Sequence, residues 1–443
     1  MNVKKELNAI SIFLMLGVSC CLSACSPSNT IEVPISIRSG SGPFHSRVSG
    51  IAPDLEDENN PWRKTYLQVS GIPAEWTEAK KGDITTDMYQ SVYQNYVLGN
   101  ISQQWYDELQ QSWNWTPDTI NLSKKPLKCK IAFAYGKDLT GTVKMVVDVK
   151  NNLDFSDDSI FTPLEINLDN NSATMDSVKA KHSITVKYER LSGNQIIEEE
   201  TSLFIAHLPA HNIWVSDFSQ YAIAEFDGNE FAIEPSAGSI DYTKTKIIQL
   251  NDSLKNGKKA IKDDLISENE YLAVNDKIYI YKGVNRNKGV MTLEKVKDAS
   301  RLYSSQKGFK AIPFEGTDFK TKEKISLESC RGKYVLLDFW AVWCGPCLQE
   351  MPNLKTLYEN TDRSKIEFLG IVGDSPAEGL EKMIERFGIT WQQILSDDAN
   401  PIVKKYGVTG YPTTLLIDPE GIIIAKDLRG KALEDRINEL IAD

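Results

Sequence analysis

The sequence predicts a protein of two parts: a mostly β, sandwich-like amino-terminal region, followed by an α/β domain at the carboxy terminus. Within residues 31–307, short runs rich in β-branched and aromatic residues alternate with clusters of Asn, Asp, Gly and Ser. This pattern is typical of antiparallel sheets, here in one or two units. Within residues 308–443, apolar strand patterns alternate with helical patterns, which indicates βαβ units and a parallel or mixed sheet.

The composition is that of a globular protein. The chain has 443 residues, of which 41% are hydrophobic and 25% are charged, and at roughly 150 residues per domain this length suggests two to three domains. Fifty Lys and Arg residues against 61 Asp and Glu residues give a formal net charge of −11. Because no basic block is present, we expect no nucleic-acid partner. Seven cysteines are too few for a small disulfide scaffold, so their positions matter more than their number.

Residues 1–24 are predicted to be a lipoprotein signal peptide. The apolar stretch over residues 9–22 has the length of a signal-peptide core and is too short to span a bilayer as a mature helix. It ends in Leu22-Ser23-Ala24-Cys25, which resembles a bacterial lipobox and implies cleavage before Cys25 and a lipid on the Cys25 thiol. An ordinary cleaved signal peptide is the alternative. Residues 25–30 then form a tether, and we expect a lipid-anchored protein of the cell envelope that faces the periplasm.

The elements of residues 31–307 follow from local patterns. Asp227-Gly228-Asn229 between two strand-like runs predicts a tight hairpin. The segment near 83–113 is the exception and is predicted to be helical. The acidic run 198–200 is interpreted as a solvated strand edge or turn. The clearest strand predictions are Ile31–Ile37, Thr142–Val149, Ser183–Tyr188, Ser202–Ala206, Tyr221–Phe226 and Lys277–Lys282.

The elements of residues 308–443 alternate between strands and helices. The near-continuous apolar run Tyr334–Phe339 contains one acid and predicts a central strand buried on both faces. Ser375 followed by Pro376 predicts a helix with a hydroxyl cap and a proline at its first position. The remaining predictions are a helix over 348–359, a strand over 364–372, a short helix after residue 401, a hairpin of 413–417 with 422–426, and a helix over 432–441.

One motif lies at the junction of the central strand and the next helix: Trp343-Cys344-Gly345-Pro346-Cys347. With Asp338-Phe339-Trp340-Ala341 before it and Gly410-Tyr411-Pro412-Thr413 after it, the domain resembles the thioredoxin fold, and more narrowly the TlpA/ResA-type envelope thiol-disulfide oxidoreductases. The resemblance covers residues 308–443 and implies a cis-proline at Pro412. Zinc binding is disfavoured, because all four histidines precede this domain. We expect neither a metal nor a cofactor.

The two cysteines of this motif are the predicted catalytic pair. We expect the pKa of the Cys344 thiol to be lowered at the amino end of a helix, where backbone amides and the helix dipole stabilise a thiolate. This thiolate attacks the disulfide of a partner, and Cys347, one turn further along, resolves the mixed disulfide. Asp338 within the apolar strand is predicted to have a raised pKa and to exchange the proton of Cys347. The alternative for Asp338 is an edge-strand acid that faces water.

Three further residues complete the predicted site. Pro412, if cis, places the backbone of Tyr411 beside the sulfurs, where it pairs with an extended substrate segment. Pro412 is therefore grouped with the catalytic residues and Tyr411 with the substrate-binding residues. Trp343 is interpreted as a second substrate-binding residue that shields the sulfur pair, and simple packing is its alternative.

The Gly-Pro dipeptide between the cysteines resembles that of reducing thioredoxins, which predicts a reductase of disulfides in envelope proteins with an upstream membrane electron donor. A peroxiredoxin is disfavoured, because those enzymes resemble one another in a Thr three residues before the reactive cysteine, where this chain has Ala341. The alternative from another class is an envelope polysaccharide- or protein-binding lipoprotein with an ancillary thioredoxin domain. Trp105, Trp113 and Trp115 are candidates for a ligand platform, although buried packing is favoured.

Two further sequence patterns each allow two interpretations. The carboxylates between Asp148 and Asp158 are spaced as in a calcium loop, but the run lacks the glycine and the terminal glutamate of that loop, so an acidic turn is favoured. Cys129 and Cys330 are either buried thiols or a second pair.

Overall fold

The computed structural model describes residues 29–119, 121–167, 172–236 and 238–442. The predicted signal peptide and Cys25 lie outside these ranges. Within them, no helix is both long enough and apolar enough to cross a membrane.

The amino-terminal region consists mainly of β-strands, as predicted. Its helices are α1 (Met88–Val97), α2 (Gln103–Ser112), α3 (Ser172–His182) and α4 (Asp252–Lys255). Its strands are β1 (Thr30–Ser39), β2 (Ser49–Ile51), β3 (Thr77–Thr85), β4 (Lys130–Lys137), β5 (Val143–Val147), β6 (Leu164–Glu165), β7 (Ile184–Ser192), β8 (Gln195–Leu208), β9 (Ile213–Phe218), β10 (Gln220–Phe226), β11 (Asn229–Glu234), β12 (Lys246–Gln249), β13 (Ile266–Ser267), β14 (Tyr271–Val274), β15 (Lys277–Asn285) and β16 (Val290–Lys295).

Eight of these strands form one antiparallel sheet, the near-barrel, in the order β13-β12-β11-β10-β1-β16-β15-β14. Its outermost strands β13 and β14 follow one another in the chain, and β13 also contacts β15, so the sheet curls toward closure. Its interior is filled by buried side chains such as Phe231, Tyr281 and Met291. Asp227 and Gly228, at φ values of 50° and 77°, join β10 to β11 in the predicted two-residue hairpin.

The other strands of this region form a sandwich. One sheet has the order β2-β9-β8-β6 with β7 paired to β8, and the other has the order β3-β4-β5. Ile131 and Phe133 of β4 pack with Leu203 and Ile205 of β8 in one buried cluster between the two sheets. The amino-terminal region therefore contains two β units, of which one is sandwich-like.

The helical prediction near 83–113 differs from the structure in two respects. It begins too early, because Asp83 and Ile84 lie in β3 and pair with β4. The remainder forms α1 and α2 rather than one helix. The break follows from Gly99, whose φ of 75° suits the end of a helix and not its interior.

The carboxy-terminal domain has a central five-stranded sheet in the order β21-β20-β19-β22-β23, in which β19 is parallel to β20 and antiparallel to β22. Its strands are β17 (Glu315–Thr317), β18 (Lys324–Ser326), β19 (Tyr334–Trp340), β20 (Ile366–Val372), β21 (Gln392–Leu395), β22 (Thr413–Ile417) and β23 (Ile423–Lys426). Its helices are α5 (Gly345–Asn360), α6 (Ala377–Phe387), α7 (Ile402–Lys405) and α8 (Gly430–Ile441). Separate apolar clusters cover the two faces of the sheet, so β19 is buried on both sides. The predicted α/β thioredoxin fold is confirmed.

The start of α6 differs from the prediction. The residue before the helix is Pro376, and no side chain caps it. Ser375 instead donates its hydroxyl to the carbonyl of Gly373 (2.7 Å) and accepts a hydrogen bond from the N–H of Val342 (3.1 Å). The prediction of a hydroxyl cap is therefore wrong, because Ser375 holds the loop after β20 against the segment that leads to the cysteines.

Candidate active site

The sulfur pair lies between the end of β19 and the start of α5. Cys344 is the N-cap residue of α5, and its Sγ accepts a hydrogen bond from the N–H of Cys347 at 3.2 Å. The two sulfurs form a disulfide, and both residues are buried. A thiolate released at Cys344 would face the unpaired amides at the amino end of a helix of 16 residues, where backbone dipoles stabilise an anion.

Pro412 lies next to this junction. The Tyr411–Pro412 peptide bond is cis, and Thr413 at the start of β22 pairs with Phe339 near the end of β19. The Tyr411 hydroxyl donates a hydrogen bond to the carboxylate of Asp374 at 3.0 Å. Burial raises the pKa of Tyr411 to about 12, with a further contribution from Asp374. The Tyr411 side chain therefore anchors the turn that precedes Pro412, as a protonated donor at neutral pH.

Trp343 stands at the surface beside this turn. Its side chain is 64% exposed, its indole N–H donates to the carbonyl of Asp374 at 2.9 Å, and its ring meets the Tyr411 ring edge-on at 5.9 Å between centroids. The structure thus places Trp343 and Tyr411 together on an exposed aromatic rim. Such a rim is a surface that an incoming protein segment can cover.

Asp338 lies in the centre of the sheet, in register with Gly370 of β20 on one side and Thr414 of β22 on the other. Burial raises the pKa of Asp338 to about 7, and the negative charge of Glu350 adds to the rise. Arg429 opposes it. The alternative of an edge-strand acid does not hold, because β19 is the middle strand and Asp338 is only 4% exposed.

Glu350 and Arg429 form part of this charge cluster, and sequence reasoning missed both. Glu350 Oε1 accepts a hydrogen bond from the N–H of Gly430 at 2.7 Å, so it connects α5 to the start of α8. Arg429 donates from its guanidinium to the carbonyl of Pro412. Glu350 follows Cys347 by three residues, so helical spacing could have placed the two on one face. For Arg429 the sequence contains no comparable signal, because a tertiary loop brings it to the site.

The arrangement is suited to thiol-disulfide exchange. Two sulfurs meet within one helical turn, and a carboxyl group that titrates near neutral pH lies in the strand leading to them. Such a carboxyl can exchange a proton with a nearby thiol at neutral pH. The exposed side chain of Trp343 and the cis-proline turn lie beside the buried sulfur pair.

The acidic run from Asp148 to Asp158 is arranged as a turn. The buried carboxylate of Asp148 accepts hydrogen bonds from the N–H groups of Asn152 (2.9 Å) and Leu153 (2.7 Å). In the ranges that the structure describes, no group of three or more His, Cys, Asp or Glu residues is arranged to hold a metal ion.

The tryptophan cluster and the two remaining cysteines are packed against other residues of the protein. Trp113 and Trp115 pack against each other and against Tyr89, with ring centroids 4.9 to 6.4 Å apart, and Trp105 packs against Trp62 at 5.9 Å. All three tryptophans are half-buried, so the choice between a ligand platform and packing stays a prediction. Cys129 and Cys330 are buried free thiols, one in each part of the chain. Burial raises the pKa of both thiols. Neither thiol is therefore poised for nucleophilic attack.

Comparisons with known proteins each match less than a third of the chain. A family model described as the AhpC/TSA family matches residues 308–426. The thiol-disulfide oxidoreductase ResA of Bacillus thuringiensis subsp. konkukian is 31% identical over 134 residues, which are 30% of this chain and 76% of the relative. ResA of Geobacillus kaustophilus is 40% identical over 114 residues, 26% of this chain and 64% of that relative. The crystal structure of the thioredoxin domain of a thiol-disulfide oxidoreductase from Bacteroides vulgatus is 33% identical, with a TM-score of 0.29, and the match covers 30% of this chain and 97% of that one.

The matched relatives are named for thiol-disulfide exchange, and the geometry of the sulfur pair suits that chemistry. Oxidoreductases of this kind act on proteins that carry disulfides. With 31% identity over 76% of a relative's length, the chain belongs to the ResA family of thiol-disulfide oxidoreductases.

Proposed function

We propose that the protein is a membrane-anchored periplasmic oxidoreductase that reduces disulfides of envelope proteins through its Cys344–Cys347 dithiol. The observation that carries this proposal is the meeting of three features at one end of the sheet: the sulfur pair at the start of α5, the buried Asp338 in β19, and the cis-proline before β22. A packed core alone does not require this combination.

The exchange reaction moves two electrons from the dithiol to the partner. The Cys344 thiolate attacks one sulfur of the partner's disulfide, the other partner sulfur leaves, and a mixed disulfide forms. Cys347 then attacks Cys344 Sγ, closes the Cys344–Cys347 bond and releases the partner as a dithiol. Asp338 accepts the proton of Cys347 in this second step, because its pKa of about 7 lets it exchange a proton near neutral pH.

The partner is held by groups that lie beside the sulfur pair. In this proposal, backbone groups of Tyr411 pair with an extended segment of the partner, next to Pro412. Trp343 supplies an exposed apolar surface on the same rim. The two side chains come from different segments but meet edge-on, so a segment bound there would lie next to Cys344.

The location and direction of the reaction come from the sequence. A lipid on Cys25 would hold the protein at the membrane surface with its domains in the periplasm. The Gly-Pro dipeptide between the cysteines supports a reductase, and an upstream membrane electron donor would return the Cys344–Cys347 disulfide to the dithiol.

Reduction of insulin driven by dithiothreitol tests the redox chemistry. Cys344→Ser is expected to lower the rate to that of dithiothreitol alone, because the thiolate that opens the partner's disulfide is gone. Cys129→Ser removes a buried thiol from the amino-terminal region and is the matched control, with the wild-type rate expected. Equal rates for the Cys344→Ser variant and the wild type would contradict the mechanism.

Trapping of partners tests the location and the substrate class. The Cys347→Ser variant cannot resolve its mixed disulfides, so partners accumulate on Cys344 and can be identified by mass spectrometry after non-reducing separation. We expect envelope proteins that contain disulfides, and none with the double variant Cys344→Ser, Cys347→Ser. Recovery of cytoplasmic proteins alone would contradict the proposed location.

A further inference from the structure

A deep cleft separates the near-barrel from the carboxy-terminal domain. Its volume is about 860 Å³. Residues between 246 and 273 line one side, and residues 306–310 together with Ile422, Lys426 and Asp427 line the other. A molecule in this cleft would therefore contact both parts of the chain.

The connecting segment 306–310 fixes the spacing of the two walls. The Gln306 side chain accepts from the N–H of Tyr271 (2.7 Å) and donates to its carbonyl (3.1 Å), which ties the segment to the near-barrel. The N–H of Gly308 donates to the carbonyl of Ile423 (2.8 Å), and the N–H of Ile423 donates to the carbonyl of Phe309 (3.0 Å). Because one segment bonds to both walls, the cleft is built into the fold.

The cleft carries an excess of positive charge. Seven lysines and four acidic residues line it. Two of the lysines are neutralised by carboxylates, Lys259 by Asp176 (2.6 Å) and Lys307 by Asp264 (2.9 Å). In the described ranges, the other five have no carboxylate within 4.0 Å: Lys246, Lys258, Lys262, Lys310 and Lys426. In a chain whose net charge is −11, this local excess indicates a negatively charged ligand.

The walls also suit an extended polypeptide. The apolar side chains of Ile248, Leu254 and Leu265 line the near-barrel side. On the other side, β23 is the outermost strand of its sheet, and in the part of the chain that the structure describes no strand pairs with residues 424–426 on their outer edge. A free strand edge offers backbone donors and acceptors to a peptide that lies along it.

The cleft leads toward the redox site. β23 runs beside β22, with Lys426 in register with Leu415, and the N–H of Asp427 donates to the carbonyl of Thr414 at 2.8 Å. Thr414 follows Pro412 by two residues. Neighbouring strands lie about 4.8 Å apart, so the end of β23 is roughly 10 Å from the end of β19, the strand that leads to Cys344. A segment bound along β23 would therefore bring its next few residues to the sulfur pair.

We propose that this cleft binds an acidic, extended segment of the disulfide-bearing protein that the redox site reduces. This inference rests on the proposed function and adds a substrate class to it: proteins with an acidic segment close to the target disulfide. It also assigns a role to the amino-terminal region, which supplies one wall of the cleft and thereby selects the substrate.

Three synthetic peptides test the preference. Each contains the same intramolecular disulfide, followed by a tail rich in glutamate, by a tail rich in lysine, or by no tail. The full chain, kept reduced with dithiothreitol, should show a KM for the glutamate-tailed peptide about tenfold below that for the peptide without a tail, since a few exposed ion pairs together contribute about 1.4 kcal/mol. The kcat values should be alike, because the reacting groups are the same.

Charge reversal in the cleft should remove this preference. The double variant Lys262→Glu, Lys426→Glu changes two lysines that lie near Asp263 but have no carboxylate within 4.0 Å in the described residues, and the KM for the glutamate-tailed peptide should rise about tenfold. Lys320→Glu, Lys324→Glu is the matched control. Both of its lysines are exposed, and they lie beside the β17–β18 hairpin, which contacts β21 at the opposite edge of the sheet. The peptide without a tail should be reduced equally by all three proteins.

The outcomes separate this inference from the proposed function. Equal KM values for the three peptides, or equal shifts in the cleft variant and the control variant, would overturn the cleft proposal while reduction of the tailless peptide continues. Inhibition by inorganic phosphate without any preference among the peptides would indicate a small-anion site and would also overturn it. Failure of the wild type to reduce even the tailless peptide would instead contradict the proposed redox function.

Discussion

Two aspartates, Asp338 which is buried and Asp87 which is half-buried, have nearly the same raised pKa and different surroundings. Burial raises the pKa of Asp338 in the carboxy-terminal domain to about 7, and burial also raises the pKa of Asp87 in the amino-terminal region to about 7. In both cases a second carboxylate adds to the rise: Glu350 beside Asp338, and Asp241 beside Asp87.

The difference lies in what each carboxyl group contacts. Asp87 is the N-cap of α1 and accepts a hydrogen bond from the N–H of Gln90 at 2.8 Å. Its neighbour Asp241 accepts from the hydroxyl of Ser239 and from the N–H of Thr243, both at 2.8 Å. These bonds hold local turns together. Asp338 lies instead in the strand that leads to the sulfur pair, near Glu350 of α5 and near Arg429, the residue that precedes α8.

A raised pKa marks an acid that is shielded from water and does not by itself mark a catalytic acid. Structural and catalytic carboxyl groups both shift when they are removed from water. The reacting groups nearby decide the role. We therefore expect matched substitutions at the two sites to change stability in the same direction and to change turnover differently.

The largest expected difference is in turnover. Asp338→Asn should slow the reduction of insulin about a hundredfold, because loss of a positioned proton acceptor typically costs that much. Asp87→Asn should leave the rate unchanged, since asparagine also caps a helix and no reacting group lies there. Steady-state rates measured from about pH 5 to 9 provide the check.

The pH dependence adds a second criterion to this comparison. In the wild type and in Asp87→Asn, the rate should rise through about pH 7 as Asp338 loses its proton. In Asp338→Asn the part of this rise that comes from Asp338 should be absent, and only the rise from ionisation of the Cys344 thiol should remain. A hundredfold loss in Asp87→Asn, or an unchanged profile in Asp338→Asn, would reverse the assignment of roles.

A smaller, shared effect is expected on stability. A carboxyl whose pKa is raised from 3.8 to about 7 on folding binds its proton more tightly in the folded state. Its contribution to stability is therefore fully present below about pH 3.8 and is lost as the pH rises toward 7. Asparagine removes this loss, so Asp338→Asn should gain about 4 kcal/mol in free energy of unfolding at about pH 8 and nothing near pH 3, and Asp87→Asn should change in the same direction.

Urea unfolding of the oxidised protein at both pH values measures this effect. The gain should be smaller for Asp87→Asn, because Asp87 is only half-buried and its carboxylate accepts a hydrogen bond from the N–H of Gln90. Lys179 is buried but paired with Asp217 at 2.8 Å, and its substitution should instead destabilise the protein, which provides a control of opposite sign. A loss of stability in both asparagine variants at high pH would mean that neither carboxyl is strained by burial.

The catalytic domain could be predicted from sequence because its elements are local. A continuous apolar run with one acid predicts β19 as a buried central strand, and the two cysteines are three residues apart in the chain. The missed groups are those that long-range contacts bring in. Arg429 lies 17 residues after Pro412, and its hydrogen bond to that residue depends on how β22, β23 and α8 pack.

In the amino-terminal region the sequence indicated strands and could not indicate how they associate. Glu198 and Glu200 are exposed on β8, as expected for a solvated strand. Glu199 between them points inward and accepts hydrogen bonds from Arg190 (2.6 Å) and Arg286 (2.9 Å). These partners come from β7 and from the residue after β15, so this bond joins the sandwich to the near-barrel. From a sequence alone, polar residues that pair between two parts of a structure cannot be distinguished from polar residues at the protein surface.

Substitution of Arg429 is expected to have the smallest effect on the pH dependence of the rate. Its positive charge lowers the pKa of Asp338, so Arg429→Gln should move the midpoint of the pH–rate profile upward by a fraction of a unit. The effect is small because Arg429 is largely exposed and water screens its charge. Arg436→Gln on the same helix removes an equal charge that pairs with Glu439, and it should leave the midpoint unchanged.

Arg429→Lys separates charge from geometry. Lysine keeps the positive charge but cannot reproduce the planar fork that reaches the Pro412 carbonyl. If charge alone matters, the midpoint of the pH–rate profile should return to the wild-type value. If the hydrogen bond positions the cis-proline turn, the lysine variant should regain the midpoint while KM for a protein substrate stays raised. Identical midpoints in wild type and Arg429→Gln would show that only burial and Glu350 set the pKa of Asp338. Arg429 would then have no part in the charge cluster.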